Sequence, residues 1–90
     1  MYTRFLRLPN VLDRRGVSRA SHYNEIAAGT FVPPVKTGPN TAVWPEDEVE
    51  TLIRARIAGY SDQQMRELVA QLVAQRRNAL QGFQVLPGDK

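Results

Sequence analysis

Residues 8–29 decide the fold: Leu8-Pro9-Asn10-Val11-Leu12-Asp13-Arg14-Arg15-Gly16-Val17-Ser18-Arg19-Ala20-Ser21-His22-Tyr23-Asn24-Glu25-Ile26-Ala27-Ala28-Gly29. Pro9 suits the first position of a helix, where its missing N–H costs nothing. A first helix is expected from Pro9 to Arg15, burying Val11 and Leu12, with Gly16 supplying the turn. Ser18 is a good N-cap for a second helix, and Val17 before it anchors the chain's approach. That helix runs to about Ala28 and stops at Gly29, where a left-handed residue is wanted. Two short helices joined by a tight glycine turn are a helix-turn-helix.

On the C-terminal side, Phe31–Thr37 and Thr41–Trp44 are β-prone runs around Gly38-Pro39-Asn40, which predicts a hairpin. Pro33 and Pro34 make its first strand an edge or irregular one. After a helix-turn-helix, such a hairpin is a wing. On the N-terminal side, Arg4–Leu8 is a short, extended lead-in. A third helix opens at Pro45, with Glu46, Asp47 and Glu48 in its first turn to complement the dipole. Its apolar stripe is Val49, Leu52, Ile53 and Ile57, and Gly59 ends it. Ser61 and Gln64 form a capping box for a fourth helix, with Tyr60 and Met65 placed for a hydrophobic staple. Met65, Leu68, Val69, Leu72 and Val73 follow at helical spacing, and Arg76 and Arg77 close the helix. The expected architecture is mainly α, a small α+β fold. It is a winged helix-turn-helix with a two-stranded hairpin and two C-terminal helices.

The 90 residues suit one small domain with a modest core. No run approaches the roughly 18 apolar residues of a membrane span. The first seven residues hold no long apolar stretch, so a signal peptide is not expected. With no cysteine there is no disulfide framework and no thiolate metal site. A cytoplasmic location is the simplest expectation. The net charge is +3, and its distribution is informative. Six cations face two acids in residues 1–45, whereas six face seven in residues 46–90. A surface that meets phosphates is therefore expected in the first half.

Catalysis lacks parts. His22 is the only histidine, so nucleophile–base pairs and metal sites are not expected, nor is any cofactor. The cluster Glu46-Asp47-Glu48-Glu50 reads as a dipole-favoured helix start rather than a cation site. Gly38-Pro39-Asn40 matches no nucleotide motif. Double-stranded DNA fits better. The second helix of a helix-turn-helix enters the major groove with its N-terminal residues nearest the bases. Ile26 with Ala27 marks the buried side of that helix. Arg19, Ala20, Ser21 and Asn24 then face outward. Arg19 suits guanine or phosphate, Asn24 adenine, and Ser21 either base or phosphate. Tyr23 packs, with its hydroxyl in reach of a phosphate. His22 is expected to be partly buried with its polar atoms satisfied, and Trp44 to anchor the hairpin in the core. Lys36 and Asn40 on the hairpin suit backbone phosphate. The stripe of the fourth helix either folds back on the domain or pairs with a second copy. In the second case Met65, Leu68, Val69, Leu72 and Val73 form a homodimer contact, and two reading helices face two half-sites. The expected division is a DNA-binding domain over 1–59, an amphipathic helix over 60–81 and a flexible tail over 82–90.

Arg7-Leu8-Pro9-Asn10-Val11-Leu12, Gly16-Val17-Ser18-Arg19-Ala20-Ser21, Tyr23, Ile26-Ala27, Gly29, Phe31, Pro34-Val35-Lys36, Gly38 and Trp44-Pro45 together resemble the AlpA family. The likeness covers about residues 4–58. Members of that family are small phage- and prophage-associated DNA-binding regulators with a MerR-like winged helix-turn-helix. Some act as transcriptional activators and others as excisionases. The resemblance implies DNA contacts at Ser18, Arg19, Ser21 and Lys36. The chain departs from the family pattern at His22, Asn24, Val32, Thr37 and Asn40. At Asn24 and Asn40 a basic residue is usual, so this chain offers less charge to phosphate. The expected function is a sequence-specific DNA-binding transcriptional regulator of phage or prophage type. The alternatives are an excisionase, and a protein-interaction module that has lost DNA affinity. An enzyme is not expected.

Overall fold

In the computed structural model, which describes residues 4–79, the chain runs β1 (Phe5–Arg7), α1 (Leu8–Arg15), α2 (Arg19–Ala28), β2 (Val35–Gly38), β3 (Thr41–Pro45), α3 (Glu46–Ile57) and α4 (Asp62–Arg76). The result is a small α+β, winged-helix-like fold. The tail expected over 82–90 lies outside the described residues.

Local chemistry sets the helix limits. Pro9 occupies the first turn of α1, and Gly16 ends it in the left-handed region at φ 68°. Its N–H donates to the Leu12 carbonyl at 2.8 Å, satisfying an acceptor that the helix end leaves open. The Ser18 Oγ caps α2 by accepting from the Ser21 N–H at 3.1 Å. At the other end Gly29 sits at φ 85°, and the next N–H, from Thr30, reaches back to the Glu25 carbonyl. Ser61 and Gln64 complete a capping box at the start of α4. The Gln64 N–H donates to the Ser61 Oγ and the Ser61 N–H to the Gln64 Oε1.

The hairpin gains a third strand. The sheet order is β1-β3-β2, all antiparallel, so the lead-in pairs with β3 on the side away from β2. Leu6 lies opposite Trp44, and both are buried. The alternation of Phe5, Leu6 and Arg7 thus serves a strand with one side chain inward. Residues 31–34, by contrast, stay out of the sheet. Pro33 and Pro34 have no N–H for a ladder, so β2 begins only at Val35 and its register slips between Lys36 and Gly38. Phe31 and Val32 are instead buried as a core loop. The Trp44 indole N–H holds that loop by donating to the Val32 carbonyl at 3.1 Å.

One core joins β1, the helices, β3 and the 31–32 loop. Leu6, Val11, Phe31, Val32, Trp44, Val49, Leu52, Ala55, Met65 and Val69 form a continuous buried cluster. Met65 and Val69 place α4 in that cluster. Leu68, Leu72 and Val73 pack against it while staying half-buried. The fourth helix therefore folds back on its own domain. Burying side chains of this size stabilises by about 1.5–3 kcal/mol each.

Candidate nucleic-acid interface

The first turn of α2 gathers the polar side chains. Ser18, Arg19 and Ser21 are exposed there, and Asn24 is exposed one turn further on. Ser18 has a structural duty as well, because its oxygen accepts the capping bond. Its hydroxyl proton stays free to donate. Lys36 is exposed on β2 opposite Ala42, and Asn40 is exposed in the hairpin turn. The wing residues and the helix residues therefore come from separate elements.

The buried side of α2 differs from the expectation. Ala27 is exposed and Ile26 only half-buried. At 100° per residue, Ala27 shares a strip with Ala20 and Tyr23 rather than with His22 and Ile26. Tyr23 is accordingly 41% exposed. His22 is the residue that fills the core, at 0% exposure rather than partly buried. Its ring meets Tyr23, Phe31 and Trp44 edge-on, with centroids 5.0–5.2 Å away. Nδ1 accepts from the Arg15 guanidinium at 2.8 Å, which puts the ring proton on Nε2. Nε2 is buried without a hydrogen-bond partner, so the ring is satisfied on one side only. Burial and the adjacent Arg15 both push the His22 pKa below 6.5, against an upward pull from Glu25.

Ion pairing redistributes the basic charge. Arg15 pairs with Glu25 and lies 3.9 Å from the centre of the Phe31 ring. Arg14 bridges Glu46 at 2.6 Å and Glu50 at 3.0 Å, and Arg4 pairs with Glu46 at 3.2 Å. The Arg14 hydrogen bond, with the charges of Arg14 and Arg4, holds the Glu46 pKa below its ordinary 4.5. The acidic start of α3 thus neutralises arginines from the N-terminal half, which the linear charge count places in excess. Of the six cations in residues 1–45, Arg7, Arg19 and Lys36 have no acidic partner among the described residues. Arg7 lies opposite Val43, and Lys36 opposite the neighbouring Ala42, so the two stand on opposite faces of the sheet. Among the described residues, Arg19 on α2 and Lys36 on β2 are left without an acidic partner.

Two arginines of α4 reach the same region. Arg66 donates through Nε to the Ala28 carbonyl at 3.1 Å. Arg76 grips Glu48 through Nε and a terminal nitrogen, and donates to the Pro33 carbonyl at 2.8 Å. Sequence spacing gives no signal of either contact, because the partners lie 28–43 residues away. Of the expected dimer residues, Met65 and Val69 are enclosed by their own chain. Among the described residues no group of acidic and histidine side chains is placed to hold a metal, and no helix is long and apolar enough to cross a membrane.

The family described as prophage CP4-57 regulatory protein (AlpA) matches residues 4–57. The protein ORF88 of enterobacteria phage P4, described as uncharacterized, is 41% identical over 56 residues. That alignment covers 62% of this chain and 64% of the phage protein, so the chain spans just under two thirds of its relative's length. No solved structure matches the chain significantly.

Proposed function

The chain belongs to the AlpA family of prophage regulatory proteins, and on that premise we propose that it binds double-stranded DNA sequence-specifically as a phage-type transcriptional regulator. In this reading α1 and α2 are a helix-turn-helix, α2 lies in the major groove, and the β2–β3 hairpin is the wing. The observation that carries it is the state of Arg19. It is exposed on the capped first turn of α2, beside exposed Ser18 and Ser21, with no acidic partner among the described residues, while Arg4, Arg14 and Arg15 are paired internally. An arginine held free at that position is placed to read a guanine edge or meet a phosphate. Asn24 is suited to adenine, Tyr23 offers a hydroxyl to the backbone, and Lys36 and Asn40 offer wing contacts to phosphate.

The test is selection from a randomised duplex library, followed by a salt titration on the enriched site and on a random duplex. Enrichment of a site, with a shallow salt slope of about two counter-ions, is the expected result. A folded sample that binds neither duplex at low salt overturns the reading. A second reading, a protein-interaction module, is favoured by Ile57. It is 80% exposed on the rim of a 260 Å³ groove lined with Val17, Leu52, Ile53 and Met65.

A further inference from the structure

The segment between the reading helix and the wing is held at both ends by one element. It starts at Ala28, where α2 ends, and reaches Pro33, just before β2. The Ala28 carbonyl accepts from Arg66 and the Pro33 carbonyl from Arg76. Both donors belong to α4 and are ten residues apart, about 15 Å along the helix. Met65 and Val69 seat α4 in the core beside them.

Each end has its own chemistry. The last turn of α2 contains no basic residue of its own, so Arg66 supplies the cation that a helix C-terminus favours. The Arg66 stem also lies against Gly29, close enough that a Cβ there would sit 3.6 Å from its Cγ. Arg76 is oriented by its two-point grip on Glu48, a nearly buried carboxylate. The same terminal nitrogen, Nη2, also donates to the Pro33 carbonyl, so the grip on Glu48 sets that bond's direction. The matched family segment ends at residue 57, so both arginines lie beyond it.

We propose that α4, through Arg66 and Arg76, fixes the reading helix relative to the wing and so sets how sharply the protein discriminates between DNA sequences. Neither arginine needs to touch DNA. Both act as positioning residues on the two surfaces that do. This inference rests on the DNA-binding reading.

The test compares the wild-type chain with Arg66→Met, which keeps the apolar stem and removes the donor. A second variant combines Arg76→Met with Glu48→Gln, so that no buried carboxylate loses its partner. Arg77→Met removes a neighbouring exposed charge as a control. Each is titrated with salt on the site that the wild type selects and on a random duplex. The expected result for Arg66→Met is a loss of about tenfold in the ratio of selected to random affinity, with the salt slope kept. Arg77→Met leaves the ratio unchanged. A ratio unchanged in Arg66→Met overturns the proposal and leaves α4 as a stability element. Equal weakening on both duplexes, with a slope smaller by about one, also overturns it, because Arg66 is then a phosphate contact. If the double variant does not fold, Arg66→Met decides alone. If the wild type selects no site, the sequence-specific reading itself falls, and the proposal falls with it.

Discussion

Helices α2 and α4 sit on the same core but are held there by different chemistry. α2 sends in a histidine, wedged among three aromatic rings and tied to Arg15, which also pairs with Glu25. α4 sends in Met65 and Val69. The difference follows from what each helix keeps outside. A helix that keeps Arg19, Ser21, Asn24 and Tyr23 exposed has little room for a wide apolar stripe. Directional polar contacts then fix its rotation at the cost of burying polar atoms. Apolar contacts seat α4 more strongly and less directionally. Strength and orientation are thus divided between the two helices.

Removing the apolar seat is the hardest blow. Met65→Ala is expected to cost about 2–5 kcal/mol in urea unfolding. A loss below about 1 kcal/mol means that α4 contributes little to the core. Arg15→Ala attacks the polar seat of α2 and leaves His22 Nδ1 and Glu25 without their guanidinium. A loss of about 1–3 kcal/mol is expected. An unchanged midpoint shows that aromatic packing alone holds the helix.

Arg19→Ala tests the outer face. Specific binding should weaken by about 1–3 kcal/mol with folding stability unchanged, measured by anisotropy and thermal melting. Unchanged affinity removes Arg19 from the readout. Lys36→Ala is milder. It should weaken binding to every sequence alike and lower the salt slope by about one. Sequence-dependent weakening instead makes Lys36 a base contact.

The smallest effect is in pH. His22 stays neutral in the fold because burial and Arg15 keep its pKa below 6.5. As pH falls through about 6.5 the unfolded chain takes up the proton first, so stability is full above that value and declines below it. His22→Leu should flatten this slope between pH 7.5 and 5. A slope that survives in the variant belongs to other groups, Glu46 among them at lower pH.

The helix ends were legible because their signals are local: Pro9, Gly16, Ser18, Gly29 and the Ser61–Gln64 box each act within a few residues. The hairpin turn was legible for the same reason. The place of β1 was not, because Leu6 finds its partner Trp44 only through the folded chain. The exposure of Ala27 does not follow from its adjacency to Ile26, because helical phase separates them. The exposed first turn of α2 was readable from Ser18 onward. That Arg19 has no acidic partner among the described residues was not, since it depends on where the folded chain places its carboxylates.

The pairing of β1 with β3 also governs the order of events in synthesis. The first strand is synthesised before its partner, which follows only after the whole of α1, α2 and the wing turn. At about 5–20 residues per second, Leu6 waits a few seconds for Trp44. Closing that loop of about forty residues carries a chain-entropy cost that neither short helix can offset alone. The two helices therefore become firm only when the sheet closes over them, and a nascent chain stalled before residue 45 lacks the assembled α1–α2 surface.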